Sequence, residues 1–489
     1  MAAVGTGLLL ALAAACTADD DQGGTSSPDE AGPAGGGVTF EDYGVNPEVA
    51  TAEDNQSTFA LDVDTGSYAV TRSYLRDGYL PDPASVRTEE FVNYFPQDYP
   101  PPPDGIGIHL DGVAVPFLAE PGKRVIRVGL QAAVTEDAGR QPANLTFVVD
   151  ASGSMAGASM EMVQTGLDRL AGSLRPDDQL AIVSYGDEAA LRLPMTPLSE
   201  PAAIRQAIAA LEPGGSTNLE AGLRIGYEQA AANLREGGIN RVILLSDGEA
   251  NVGQTDPAVL ADQIAQAAGD RTQLVVVGVG RETYNEVVLE QFADRGNGFY
   301  AYIDTTREAE RLFVHDLTGT IQVVALDAKV QVTFDPATVS HYRLLGYENR
   351  QLDDDDLRDD TVDGGEIGAG HTVTALYEVT VSEGTANRDA ALATVDVRWR
   401  NPDSGAPVER SATLGSADLA GSLEAAAPKL RRDILVAAFA ESLRGAPWAE
   451  LVSLAQGADN ARVLAPALPG DETTAEFVEL VGIAAELPG

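Results

Sequence analysis

The stretch that decides the fold of this chain is Leu145-Thr146-Phe147-Val148-Val149-Asp150-Ala151-Ser152-Gly153-Ser154-Met155. Its mostly apolar first half predicts a buried strand. The strand ends in the carboxylate of Asp150 and the hydroxyls of Ser152 and Ser154, on a turn that contains a glycine. Because Mg²⁺ prefers oxygen ligands at short distance, this turn predicts part of a metal site. Other loops must supply the remaining ligands.

Two later loops add oxygen side chains. Residues 214–218 read Gly-Gly-Ser-Thr-Asn and precede an amphipathic run that predicts a helix opening just after Thr217. Residues 241–248 form another apolar strand pattern that closes on Asp247 and a glycine. The three loops together bring five candidate metal ligands: Asp150, Ser152, Ser154, Thr217 and Asp247.

Strand and helix patterns alternate between about residues 144 and 320. Such alternation predicts an α/β fold, a doubly wound and mostly parallel sheet with helices on both faces. Ligands of open sheets of this kind bind at the carboxyl ends of the strands. Asp150 and Asp247 both follow predicted strands, as that rule requires.

The motif Asp150-x-Ser152-x-Ser154, followed by Thr217 and Asp247, resembles the von Willebrand factor type A (VWA) domain. The resemblance implies a metal-ion-dependent adhesion site (MIDAS) at these five residues, holding Mg²⁺, with Mn²⁺ or Ca²⁺ as alternative ions. It also implies one open coordination position for the Asp or Glu of a protein partner. The charge count agrees, because two carboxylates only balance a divalent ion and leave it attractive to another anion.

The flanks predict further elements. Segments 67–76 and 83–95 predict helices, and 125–130 predicts a strand leading toward the VWA core. Beyond residue 321 apolar residues alternate with polar ones, which predicts antiparallel sheet, and from about 416 two apolar stripes predict a helical tail. Segments 59–68, 89–95 and 342–350 resemble bacterial VWA lipoproteins of the YfbK-like type. The predicted regions are 1–16 signal peptide, 17–54 acidic glycine-rich tether, 55–140 VWA-associated region, 141–320 VWA domain, 321–415 β-rich domain and 416–489 helical region.

Cys16 is the single cysteine of the chain and ends an apolar stretch, residues 8–15. This stretch is too short to span a bilayer but suits a signal peptide, and the small residues before Cys16 resemble a bacterial lipobox. The sequence thus predicts lipidation at Cys16 and an extracytoplasmic, membrane-anchored protein of the cell envelope. A cysteine in a soluble protein is the alternative, because residues 1–16 lack the basic start of a signal peptide.

The net charge of −43 is far from that of an ordinary globular protein. An acidic surface repels phosphate backbones, so nucleic acid is not expected as a partner. The predicted function is metal-dependent binding of a protein partner, without catalysis.

Two alternatives stay open. A haloacid-dehalogenase-like phosphotransferase also starts with a strand-end aspartate and Mg²⁺, but it needs an acid where Ser152 stands. A scaffold in envelope assembly would contact its partners through the flanking sheet, independently of the metal.

Overall fold

The computed structural model describes residues 40–488 except 62, 119, 121, 135–139, 249, 269–271, 281–285, 297, 317–321, 363 and 386–389. The predicted signal peptide, the lipidation site Cys16 and residues 17–39 of the predicted tether lie outside the described residues. Within the described part, no helix combines the length and the hydropathy that crossing a bilayer requires.

The strands, in chain order, are β1 (Val49–Ala50), β2 (Gln56–Ala60), β3 (Ile106–Val113), β4 (Lys123–Ala132), β5 (Ala143–Asp150), β6 (Gln179–Tyr185), β7 (Ala189–Pro197), β8 (Ile239–Ser246), β9 (Gln273–Val279), β10 (Tyr300–Ile303), β11 (Val323–Phe334), β12 (Val339–Leu345), β13 (Gln351–Leu352), β14 (Gly365–Gly368), β15 (Thr372–Val381), β16 (Ala391–Arg400), β17 (Pro407–Gly415) and β18 (Leu419–Ala420). The α-helices are α1 (Gly66–Arg76), α2 (Thr88–Asn93), α3 (Ala158–Ser173), α4 (Pro201–Ala209), α5 (Leu219–Ala232), α6 (Pro257–Ala268), α7 (Glu286–Arg295), α8 (Thr306–Glu310), α9 (Pro428–Leu443), α10 (Leu454–Ala461), α11 (Leu464–Ala467) and α12 (Glu472–Glu486).

The stretch around Asp150 lies in a sheet of order β10-β9-β8-β5-β6-β7, whose neighbours are parallel except for β6 and β7. Apolar side chains of β5 and β8 alternate between two buried clusters, one under α3 and α4 and the other under α5, α6 and α7. The predicted doubly wound sheet with helices on both faces is therefore confirmed. The antiparallel edge strand β7 was not predicted.

Two further sheets stack against each other. One has the order β1-β12-β15-β4-β3-β18, and the other has the order β13-β2-β11-β16-β17 with β14 beside β11. Their facing side chains form one buried cluster, to which Ile126, Val128, Val330, Val332 and Tyr377 contribute. The predicted antiparallel region is confirmed, but it is built from strands on both sides of the VWA segment.

This arrangement corrects three predictions. The predicted strand at 125–130 is confirmed as part of β4, but it pairs with β3 and β15 and does not lead into the parallel sheet. The predicted regions 55–140 and 321–415 share their sheets, since β2 pairs with β11 and β4 with β15. The predicted tether is ordered at its end, because β1 pairs with β12 and the Thr51 hydroxyl donates to the Val339 carbonyl (2.6 Å).

The helical tail is confirmed, and it packs on the helices that precede the VWA segment. The Phe91 ring contacts Phe439 (ring centroids 6.3 Å apart), and the Phe95 ring contacts Phe477 (5.7 Å). Within the tail, Phe439 and Phe477 contact each other (5.8 Å). The predicted 83–95 helix is two elements, a 3-10 turn at Pro83–Ser85 capped by Asp82 and then α2, because Val86 and Arg87 adopt extended backbone conformations.

A buried ion network joins three parts of the chain. Arg72 on α1 donates to Asp304 Oδ2 (3.0 Å) and to the Tyr94 hydroxyl (2.6 Å). Its guanidinium also lies 3.2 Å from Glu308 at α8 and 3.6 Å from Glu476 on α12. Arg72 therefore links the N-terminal helices to both the parallel-sheet domain and the tail.

Candidate metal centre

Where the first candidate loop follows β5, the side-chain oxygen atoms of the candidate ligands lie close together. The Ser152 backbone N–H donates to Asp150 Oδ1 (2.8 Å), and the hydroxyls of Ser152 and Ser154 are 2.9 Å apart. Asp150 is fully buried, Ser152 is 1% exposed, and Ser154 is exposed. The pair of hydroxyls therefore reaches from a buried carboxylate to the solvent.

The second loop, which carries Thr217, is bonded to the first by its backbone. Gly214 N–H donates to the Ala151 carbonyl (2.8 Å), and Gly153 N–H donates to the Gly215 carbonyl (3.1 Å). Gly215 has a φ of +81°, and a Cβ there would lie 2.4 Å from Asp187 Oδ2. The positive φ and the close approach to Asp187, in the loop after β6, thus both favour glycine at this position.

Helix α5 starts two residues after Thr217 and lies close to the sheet. A Cβ on Gly226 would be 2.4 Å from Val148 Cγ2, so a larger residue would push the helix outward. The Asn218 side chain caps the helix by accepting from Ala221 N–H (3.1 Å). Together with the hydrogen bonds of Gly214 and Gly215 to the first loop, these contacts place Thr217 near the carboxyl end of β5.

The third loop follows β8, the parallel neighbour of β5. Their register pairs Val149 with Leu245, which aligns Ser246 and Asp247 with the start of the first loop. The Ser246 hydroxyl donates to Asp150 Oδ2 (3.2 Å). Burial and the nearby Asp247 carboxylate raise the pKa of Asp150 to about 7. The two carboxylates are thus close enough to affect one another.

Three residues with a positioning role were not predicted from the sequence. Asn251 Oδ1 accepts from Thr217 N–H (2.7 Å), Asp187 Oδ1 accepts from Ser216 N–H (2.8 Å), and Ser246 donates to Asp150. The signal available was closeness in sequence to Asp247: Ser246, the last residue of β8, directly precedes it, and Asn251 follows four residues later in the third loop. Asp187 lies two residues after the end of β6, near the same edge of the sheet as the candidate ligands at the ends of β5 and β8.

The donor set suits a hard divalent ion. It combines two carboxylates and three hydroxyls on three adjoining loops, and all of its donors are oxygen. Among residues that the structure describes, no group of three or more His, Cys, Asp or Glu side chains could hold a metal ion. Metal binding at the five candidate residues would therefore depend on the hydroxyls as well as the carboxylates.

The parallel sheet and its three loops define a VWA domain. The family model described as von Willebrand factor type A domain matches residues 144–316, and one described as von Willebrand factor matches residues 36–125. A third model, described as the C-terminal part of uncharacterized protein YfbK, matches residues 319–487. The chain belongs to the YfbK family: it is 34% identical over 476 residues to uncharacterized protein YfbK of Escherichia coli (strain K12), across 92% of this chain and 81% of that protein.

Other similarities cover a smaller part of the chain or concern its fold. Human inter-alpha-trypsin inhibitor heavy chain H3 is 28% identical over 178 residues, which is 35% of this chain and 20% of that protein. A solved structure described as von Willebrand factor type A from Catenulispora acidiphila is 17% identical, covers 79% of this chain and 92% of that chain, and has a TM-score of 0.45.

Proposed function

We propose that this chain is a binding protein whose VWA domain holds a divalent cation, with Mg²⁺ as the first candidate, and offers it to a protein partner. The observation that supports this most is the convergence of three loops that are joined by backbone hydrogen bonds. In the first of them, the neighbouring hydroxyls of Ser152 and Ser154 extend from buried Asp150 to the solvent. Asp150, Ser152, Ser154, Thr217 and Asp247 would hold the ion as a MIDAS. The ion would supply an attraction for a carboxylate of the partner.

Binding is favoured over phosphoryl transfer by the state of Asp150. Its side chain is fully buried and accepts hydrogen bonds from Ser152 N–H and the Ser246 hydroxyl. A nucleophile must reach its substrate, and a general acid must stand beside it. The position two residues on is Ser152, which cannot act as that acid. VWA domains are typically interaction modules without catalysis.

The proposal predicts metal-dependent capture of a partner. The tagged full chain should retain a protein from envelope extract in Mg²⁺ and release it in EDTA, and Asp150→Ala should retain none. Asp168→Ala is the matched control, since Asp168 is an exposed acid on α3 that pairs only at the surface with Arg205. If EDTA and Asp150→Ala both leave capture of the partner unchanged, the metal-dependent function is refuted and a metal-independent scaffold is favoured.

We also propose that the protein is anchored in the cell envelope through a lipid on Cys16. Support comes from the apolar stretch before this residue and the acidic, glycine-rich segment after it, which cannot bury a core. Because Cys16 is the single cysteine, Cys16→Ser should abolish incorporation of a labelled fatty acid and move the protein from the membrane to the soluble fraction. A reactive Cys16 thiol in the denatured parent protein would contradict the anchor.

A further inference from the structure

The loop after β9, which contains Arg281, lies mostly outside the described residues. The other loops around the candidate metal centre carry acidic side chains and no basic ones. This holds for the described residues of loops 151–157, 186–188, 212–220 and 247–256. Besides the two candidate ligands, the charged residues that the structure describes in these loops form what we term the acidic rim: Asp187, Glu188, Glu212, Glu220 and Asp256. Arg192, on the neighbouring strand β7, donates to the Ser184 hydroxyl (2.7 Å) within the sheet.

Parts of the acidic rim lie close to the candidate ligand Thr217. Asp187 binds the backbone of Ser216, the residue before Thr217. Peptide geometry then places the Asp187 carboxylate within roughly 8 Å of the Thr217 Cα. Glu220, three residues after Thr217, accepts from Gln254 N–H (2.9 Å) and so lies between the second and third loops.

The charge balance decides how these acids affect a partner. Asp150 and Asp247 together neutralise a divalent ion, so the centre itself would carry no excess positive charge. The rim then leaves the surrounding surface negative. The Debye length is about 8 Å at physiological ionic strength, so rim charges close to the candidate ligands would still act on a group that binds the ion. A partner carboxylate with neutral or acidic neighbours would therefore bind the ion less tightly than one with basic neighbours.

We infer that the partner's carboxylate is flanked by lysine or arginine side chains that face the acidic rim. This inference rests on the proposed function, because it names the chemistry of the partner at the same site. The ion would bind the carboxylate, and the rim would distinguish basic from acidic surroundings. Charge complementarity of this kind contributes to specificity and to the rate of association.

The test uses three surface-immobilised peptides with one central aspartate, flanked on both sides by lysine, serine or glutamate. The full chain in Mg²⁺ should bind the lysine peptide about three- to tenfold more tightly than the serine peptide, as expected for two exposed ion pairs. It should bind the glutamate peptide most weakly, and raising the salt concentration should reduce the differences. EDTA should abolish binding of all three.

The variant Asp187→Asn/Glu220→Gln keeps the hydrogen-bond acceptors of both side chains while removing two rim charges. Compared with the parent at Mg²⁺ concentrations that saturate each protein, it should lose most of the preference for lysine. The control Asp168→Asn/Glu228→Gln removes two exposed charges from helix faces of the same domain and should keep the preference. Equal binding of the three peptides, a preference that survives in the rim variant, or no peptide binding by the Mg²⁺-loaded protein would overturn the inference. Failure of the parent to bind Mg²⁺ in a calorimetric titration would instead overturn the proposed function, and this inference with it.

Discussion

Replacing Arg72 by alanine is expected to lower the free energy of unfolding by about 3 to 5 kcal/mol, the range for breaking a buried ion pair from one side. The Arg72 side chain is fully buried, and its carboxylate partners Asp304 and Glu308 are nearly so. Alanine would leave those carboxylates inside the protein without their shared cation. The cost arises mainly from these unpaired charges, since a buried pair contributes little relative to apolar side chains of the same shape.

Urea unfolding of the purified protein measures this effect through the midpoint and slope of the transition. Arg224→Ala is the matched control, because Arg224 pairs with Glu228 on an exposed helix face, with both side chains about 60% exposed. Such a pair contributes roughly 0.5 kcal/mol or less. If the two variants unfold at the same urea concentration, Arg72 does not hold the three parts of the chain together.

Local sequence was sufficient to predict the parallel sheet and the first candidate loop. The runs in β5 and β8 carry apolar residues on both faces because both faces are covered by helices. Asp150, Ser152 and Ser154 lie within five residues of one another. Thr217 and Asp247 were predicted from the order of the motifs. Their convergence depends on strand register, which the order alone does not give.

The missed strand β7 has a physical explanation. It contains Pro194 and ends at Pro197, and proline lacks the N–H that a central strand would need. As the edge strand of the sheet, β7 pairs on one side with β6 only. Apolar and polar residues also alternate only weakly along β7, so the sequence pattern does not identify it as a strand.

The pairing of the flanking sheets could not be predicted from local patterns. Val128 on β4 pairs with Ala375 on β15, although the whole VWA domain lies between them in the sequence. Alternating apolar residues indicate that a segment is a strand, but they do not select its neighbour. For the same reason the ion network could not be predicted, since the carboxylate partners Asp304 and Glu308 are more than 200 residues from Arg72 along the chain.

Asp150→Asn is expected to remove the stabilising effect of Mg²⁺ without a comparable loss of stability in the metal-free protein. The substitution keeps the shape of the side chain and removes a buried charge that the neighbouring Asp247 disfavours. In the parent, Mg²⁺ at 100 times its dissociation constant should add about 2.7 kcal/mol to the free energy of unfolding. Thermal unfolding with and without Mg²⁺ should show a raised midpoint for the parent only.

Calorimetric titration of Mg²⁺ into the purified full chain tests the central claim most directly. The account predicts one ion bound per chain in the parent and in the exposed-acid control Asp168→Asn, and none in Asp150→Asn. Mg²⁺ binding that is absent from the parent, or that is unchanged in Asp150→Asn, would contradict a cation held by Asp150, Ser152, Ser154, Thr217 and Asp247.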